Sequence, residues 1–240
     1  MKKIIVLMIT VFCFGNIYCQ TAGEYYKSGL EKAELDDFKG AIIDYTKAIE
    51  LKLDNDAECY YKRGLLKYKL QDFQGASLDM QKAWVGNYDK KLSDSQICLN
   101  IGSAMFKYKD FSNAFDFIDK SIEYNPRNVE AYLLRAFIKR DLKDYKGEIQ
   151  DYNVVLGLDI KNEVAFFSRG DAKAHLGYYL EAIEDFNKVI LLDPKSSNVY
   201  LKRGLTHLLL NNTNNACLDF SKAGELGSEE AYKIIKEYCN

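Results

Sequence analysis

Between Glu163 and Ser196 the apolar residues fall at helical spacing in two runs. Phe166, Gly170 and Leu176 mark the first; Tyr179, Ala182, Phe186 and Val189 mark the second. Residues three or four apart share one face of a helix, so each run predicts an amphipathic helix. Gly177–Tyr178 interrupts the pattern between them, and Pro194 ends the second run. The small residues Gly170 and Ala182 sit where two antiparallel helices must come closest, and the aromatic residues fill the space left over. Such a hairpin cannot bury both apolar faces alone; it needs stacked copies of itself.

The chain supplies the copies. Taking the small residue of the first helix as an anchor gives Gly29, Gly64, Gly102, Ala136, Gly170 and Gly204, at steps of 35, 38, 34, 34 and 34 residues. Twelve residues after each anchor stand Ala41, Ala76, Ala114, Glu148, Ala182 and Ala216. Nine after stand Phe38, Phe73, Phe111, Tyr145, Tyr179 and Thr213, and four before stand Tyr25, Tyr60, Cys98, Tyr132, Phe166 and Tyr200. Both prolines, Pro126 and Pro194, lie 24 residues after an anchor. Glu148, Cys98 and Thr213 are the local departures from the pattern.

A 34-residue period with aromatic, small, aromatic, small and proline positions in this register resembles the tetratricopeptide repeat (TPR). The resemblance implies an all-α, right-handed superhelix of six helix–turn–helix repeats: residues 22–55, 57–90, 95–128, 129–162, 163–196 and 197–230. A last helix over 228–239, started by Ser228 after the terminator Gly227, carries Ala231, Ile234, Ile235 and Tyr238 and is expected to cap the exposed face of repeat six. Asp37, Asp72, Asp110 and Asp144 precede second helices and read as N-caps. The longer step between repeats two and three falls on Gly86 to Asp94, expected as an exposed loop that is either a tolerated insertion or a contact loop.

Residues 1–19 stand outside the register. Met1-Lys2-Lys3 is basic, Ile4 to Gly15 is an apolar run, and Asn16 to Gln20 is more polar, which reads as a secretory signal peptide cleaved near Cys19. Lipidation at Cys19 is the rival reading. The expected location is a periplasm or beyond the cell, with no stable membrane span. The 240 residues are 48% hydrophobic with two prolines, ample for a packed helical array, and a net charge of −2 gives no pull towards nucleic acid.

Charge repeats with the same period. One residue before the anchor stand Ser28, Arg63, Ile101, Arg135, Arg169 and Arg203; fifteen after stand Asp44, Asp79, Phe117, Asp151, Asp185 and Asp219. Wherever Arg holds the first position Asp holds the second, and repeat three loses both. Such paired loss predicts contact: Arg63–Asp79, Arg135–Asp151, Arg169–Asp185 and Arg203–Asp219 form a structural ladder, because a partly buried guanidinium needs a carboxylate. Asp44 has no Arg in its own repeat and is expected to be served by Arg63.

Four cysteines follow the N-terminal run, at spacings that match no metal motif. Reflecting Cys217 through a hairpin turn at 227–228 lands beside Cys239, so a Cys217–Cys239 disulfide is expected. Cys59 and Cys98 read as packing residues. His175 and His207 lie in neighbouring first helices without an evident third ligand, so no metal site is expected. No nucleophile–base pair, phosphate loop or other catalytic signature appears, and no cofactor is expected.

By resemblance, binding in this family uses the concave face lined by first helices. The corresponding positions are Tyr26, Leu30, Tyr61, Leu65, Tyr68, Lys69, Leu99, Ser103, Phe106, Lys107, Leu133, Phe137, Arg140, Phe167, Asp171, Ala174 and His175. The family's carboxylate clamp is not matched, since Tyr26 and Leu30 hold two of its positions. The expected function is a non-catalytic scaffold or adaptor of the bacterial cell envelope that takes a protein or peptide segment in this apolar, aromatic groove. An envelope chaperone for unfolded clients and a glycan- or peptidoglycan-binding subunit are the alternatives.

Overall fold

In the computed structural model the described residues are 20–54, 56–86 and 94–239. The N-terminal run read as a signal peptide and residues 87–93 of the expected loop lie outside them. Among the described residues the ordered elements are thirteen helices with no strand. The contacts divide the chain into two compact units, residues 1–91 and 92–240.

The first unit holds α1 (Ala22–Glu34), α2 (Phe38–Glu50), α3 (Asp56–Lys69) and α4 (Phe73–Val85). The second holds α5 (Asp94–Lys107), α6 (Phe111–Tyr124), α7 (Val129–Asp141), α8 (Tyr145–Leu158), α9 (Glu163–His175), α10 (Tyr179–Leu192), α11 (Ser197–Leu209), α12 (Thr213–Glu225) and α13 (Glu229–Tyr238). Odd and even helices pair as hairpins, and each pair inside a unit packs on the next. No helix among the described residues is long and apolar enough to cross a membrane.

Every hairpin turns the same way. Seven residues past each anchor the backbone is left-handed, at Asp36, Gln71, Lys109, Lys143, Gly177 and Asn211. The following residue then donates its N–H back to the carbonyl five residues earlier, as in Asp72 N to Lys67 O (2.9 Å) and Asp144 N to Lys139 O (2.8 Å). This closes the first helix. The side chain of that same residue opens the second helix. Asp37, Asp72 and Asp144 accept from the N–H of Gly40, Gly75 and Gly147 at 2.9–3.0 Å, and Asp110 accepts from Asn113 at 3.3 Å. In repeat five Tyr178 has no such side-chain bond.

The anchors face the largest buried side chains. A Cβ on Gly170 would sit 2.9 Å from the Phe186 ring, and one on Gly204 2.7 Å from that of Phe220. Phe186 and Phe220 are fully buried, as are Tyr45, Met80, Ile118 and Tyr152 at the same register in the other repeats. The alanines twelve residues after the anchor have no exposed surface, and neither does Glu148.

At the C-terminal end Ser228 Oγ accepts from Ala231 N–H and starts α13. Ala231, Ile234 and Ile235 pack on Leu201, Phe220 and Ala223, which closes the apolar face of the last hairpin. Cys217 and Cys239 are bonded, with their Cα atoms 5.7 Å apart. Cys59 and Cys98 are buried free thiols, and burial pushes each thiol up to about 11. They stay protonated and unreactive at neutral pH.

Candidate partner-binding face

The first helices position two sets of side chains: a charged set towards the second helices and a mostly apolar set on the opposite side. The charged set is a ladder. Arg63, Arg169 and Arg203 each donate from Nε to the Oδ2 of Asp79, Asp185 and Asp219 at 2.8, 2.9 and 2.8 Å. Arg135 and Asp151 pair in the same way, with Nη2 to Oδ1 at 2.6 Å. The aspartates are buried and the arginines nearly so. The remaining guanidinium nitrogen reaches back to the preceding second helix. Arg63 donates to Thr46 Oγ1 (2.9 Å), Arg135 to Asp119 (2.7 Å) and Arg169 to Asn153 Oδ1 (2.7 Å). Each guanidinium thus ties its own hairpin together and fastens it to the previous one. Arg135, Arg169 and Arg203 also lie over the rings of Tyr132, Phe166 and Tyr200 at 5.3–5.6 Å.

Two features of the ladder differ from the sequence expectation. Asp44 is not served by Arg63: it accepts from Ser28 Oγ and pairs with Lys32, both at 2.6 Å, because Arg63 is already held by Asp79 and Thr46. And the aspartates of repeats two, four and five each have a second cation, a lysine, while Asp44 has the lysine without the arginine. Three residues past the anchor, Lys32, Lys67, Lys139 and Lys173 place Nζ 2.6–2.8 Å from the Oδ2 of Asp44, Asp79, Asp151 and Asp185. The periodic lysines were visible in the sequence at the same spacing as the arginines. Repeat three has Met105 there, alongside Ile101 and Phe117, so all three charges are replaced together.

On the opposite side, unit one presents Tyr26, Leu30, Leu65 and Tyr68 half-buried on α1 and α3. Unit two presents Phe106, Leu133, Phe137, Arg140 and Phe167 half-buried on α5, α7 and α9. Tyr61 and Leu99 are 3% and 1% exposed, which corrects their assignment to an open face. On α3 the buried Cys59 and Tyr61 are about 200° apart around the axis, so that helix is covered on opposite sides. On α5 the buried set Ile97, Cys98, Leu99, Ile101, Ala104 and Met105 takes up about 220° of the circumference, well beyond a single face.

The rings in unit two are braced from behind. Phe106 lies 5.9 Å from Phe111, Phe137 6.5 Å from Tyr152, and Phe167 5.9 Å from Phe186. Arg140 is not a free cation: its Nε donates to Glu148 Oε1 at 2.8 Å and its guanidinium lies over Phe137. Glu148 occupies a position that is Ala in the other repeats. Burial raises its pKa above the usual carboxylate range, and the Arg140 partner only partly opposes this. Further along, Asp171 pairs with Lys202 at 2.7 Å, and His175 stacks on Tyr145 at 4.7 Å. His175 and His207 are not brought together, and no cluster of metal-binding residues is present among the described residues.

Stacked hairpins with small anchors, a cross-repeat ion ladder and an amphipathic final helix define a helical-repeat array whose first helices offer a continuous side within each unit. The comparisons bear on the kind of repeat. Residues 25–55 and 164–196, in the first and fifth hairpins, match the tetratricopeptide repeat family model. Among solved structures, the C-terminal part of a TPR repeat-containing protein from Cytophaga hutchinsonii superposes with a TM-score of 0.77 at 18% identity, over 89% of this chain and 87% of that one. YrrB, described as a TPR protein with an unusual peptide-binding site, gives 0.64 at 18% identity, over 74% and 89% of the two chains. MamA gives 0.65 at 20% identity, over 73% and 94%. At these identities the likeness is one of fold. No curated protein matches the sequence.

Proposed function

We propose that the chain is a non-catalytic scaffold of the bacterial cell envelope, and that unit two binds an extended or helical protein segment on its first-helix face. The observation that carries this reading is the diagonal of half-buried rings Phe106, Phe137 and Phe167 on three successive first helices. Each is fixed against an aromatic residue of its own hairpin. Rings that are already ordered lose little freedom on binding, so they act as anchors for apolar side chains of a partner. The peptide-binding site noted for YrrB, which shares the fold, supports the same use of a TPR array.

The envelope location rests on the basic-then-apolar start of the chain and on the Cys217–Cys239 pair, since disulfides persist in oxidising compartments. The test is crosslinking and capture from envelope extract, with the double variant Phe137→Glu, Phe167→Glu as a control shown to be folded by circular dichroism. Enrichment of one protein, lost in the control, supports the scaffold. Enrichment of many unrelated proteins favours a chaperone. Capture that is unchanged in the folded control refutes binding at this face.

A further inference from the structure

Repeat six keeps the ladder's Arg203 and Asp219 but replaces its lysine with His207. In repeats two, four and five the aspartate Oδ2 holds two cations at once: the Arg Nε at 2.8–3.1 Å and the Lys Nζ at 2.8 Å. The ammonium of Lys139 and Lys173 also faces the backbone carbonyl eleven residues past the anchor, at Gly147 O (3.3 Å) and Glu181 O (3.5 Å). In repeat six Asp219 Oδ2 accepts from Arg203 Nε at 2.8 Å, but His207 Nε2 stays 4.0 Å away, beyond hydrogen-bond distance. The imidazole is too short to do what the lysine does.

A cavity of about 350 Å³ opens beside it, lined by Ile183, Asn187, Arg203, His207, Asn215, Leu218 and Asp219. Asn215 is the residue whose carbonyl corresponds to Gly147 O and Glu181 O. The buried His207 Nδ1 has no hydrogen-bond partner. The charges facing His207 are Arg203 on its own helix and Asp219 on α12, while α10 contributes the uncharged Ile183 and Asn187. These sum to zero with a neutral imidazole. The four lysine-bearing repeats instead place a cation on the same oxygen.

We propose that this cavity binds a primary alkylammonium group from outside the chain, with the ammonium on Asp219 Oδ2 in the place that lysine takes in the other repeats and the alkyl chain along Ile183 and Leu218. The chemistry is that of a lysine side chain, supplied either by a partner protein or by a free amine. The site is separate from the aromatic face and does not depend on it. Burial lowers the pKa of His207, with Arg203 acting in the same direction against Asp219, so the imidazole stays neutral and does not supply the charge itself near neutral pH.

The test uses the full chain, n-butylammonium chloride, and the peptide acetyl-Gly-Lys-Gly-amide. Its norleucine analogue, tetramethylammonium and sodium chloride are the controls at matched ionic strength. The His207 ring resonances, distinguished from those of His175 by His175→Gln, should shift and saturate with butylammonium in the millimolar range, and not with tetramethylammonium, which has no N–H. The amine should raise the melting temperature of the native chain. His207→Lys, which puts the ladder's own ammonium in place, should melt higher than the native chain and lose that response. Binding should weaken as pH falls through the lowered pKa of His207, where a protonated imidazole competes. If the Lys peptide saturates the site and the norleucine peptide does not, the source is a partner lysine; if only the free amine binds, it is a small amine. A non-saturating shift, an equal response to tetramethylammonium, or an amine effect that survives in His207→Lys overturns the proposal.

Discussion

Repeat three contains an apolar version of the charged ladder, and moving it into repeat five tests what the ladder does. In repeat five Asp185 is 4% exposed at its side chain and is held by Arg169 through two bonds and by Lys173 through a third. Asp185→Ala leaves two partly buried cations facing each other without a carboxylate. Breaking a buried pair by removing one partner costs about 3–5 kcal/mol. Arg169→Ala should cost less, about 2–3 kcal/mol, because Lys173 still neutralises Asp185. The triple change Arg169→Ile, Lys173→Met, Asp185→Phe copies Ile101, Met105 and Phe117. It removes every charge at once and replaces them with apolar volume, so it should fall within about 1.5 kcal/mol of the native chain. Urea unfolding followed by circular dichroism at neutral pH measures all three. For a chain of this length 1 kcal/mol corresponds to about 2–4 °C in melting temperature, so Asp185→Ala and the triple variant should be well separated. If the triple variant is as damaged as Asp185→Ala, or if Arg169→Ala is the worse of the two single changes, the aspartate is not the shared centre of a coupled triad.

The left-handed turn residues offer a gain in stability. Gln71→Gly or Lys143→Gly should each stabilise by about 1 kcal/mol, since both hold positive φ with a side chain where repeat five has Gly177. Glu148→Gln should reveal a pH dependence: the raised pKa in the folded state means that Glu148 contributes stability below its unfolded pKa and loses it as pH rises through its folded value. The Gln variant should therefore melt above the native chain at neutral pH and match it at pH about 4. Reducing Cys217–Cys239, which closes a separation of 22 residues, should cost about 3 kcal/mol and loosen α13 first, as read by hydrogen exchange. Thiol titration of the unfolded, unreduced chain starting at residue 20 should find only Cys59 and Cys98; four thiols would refute the bond.

The sequence alone carried the repeat. Helical spacing, small anchors and turn chemistry recur every 34 or so residues, and each is a local property that survives without knowing what packs on what. The Arg–Asp pairing was legible too, because both members vanish together at Ile101 and Phe117. The lysines of the triad were equally periodic, yet a surface-facing Lys three residues past an anchor looks like any solvated charge until the fold bends it onto Asp Oδ2. What only the tertiary structure decided is which faces remain open. Tyr61 and Leu99 share a register with the half-buried Phe167 but are covered, and periodicity along one helix cannot report what lies across from it. Likewise the sequence shows Glu148 and His207 as single departures from a pattern. Only packing shows that one is a carboxylate with no exposed surface beside Arg140, and that the other leaves a cavity next to Asp219. Local pattern sets where helices form and turn; burial and charge are set by neighbours distant in sequence.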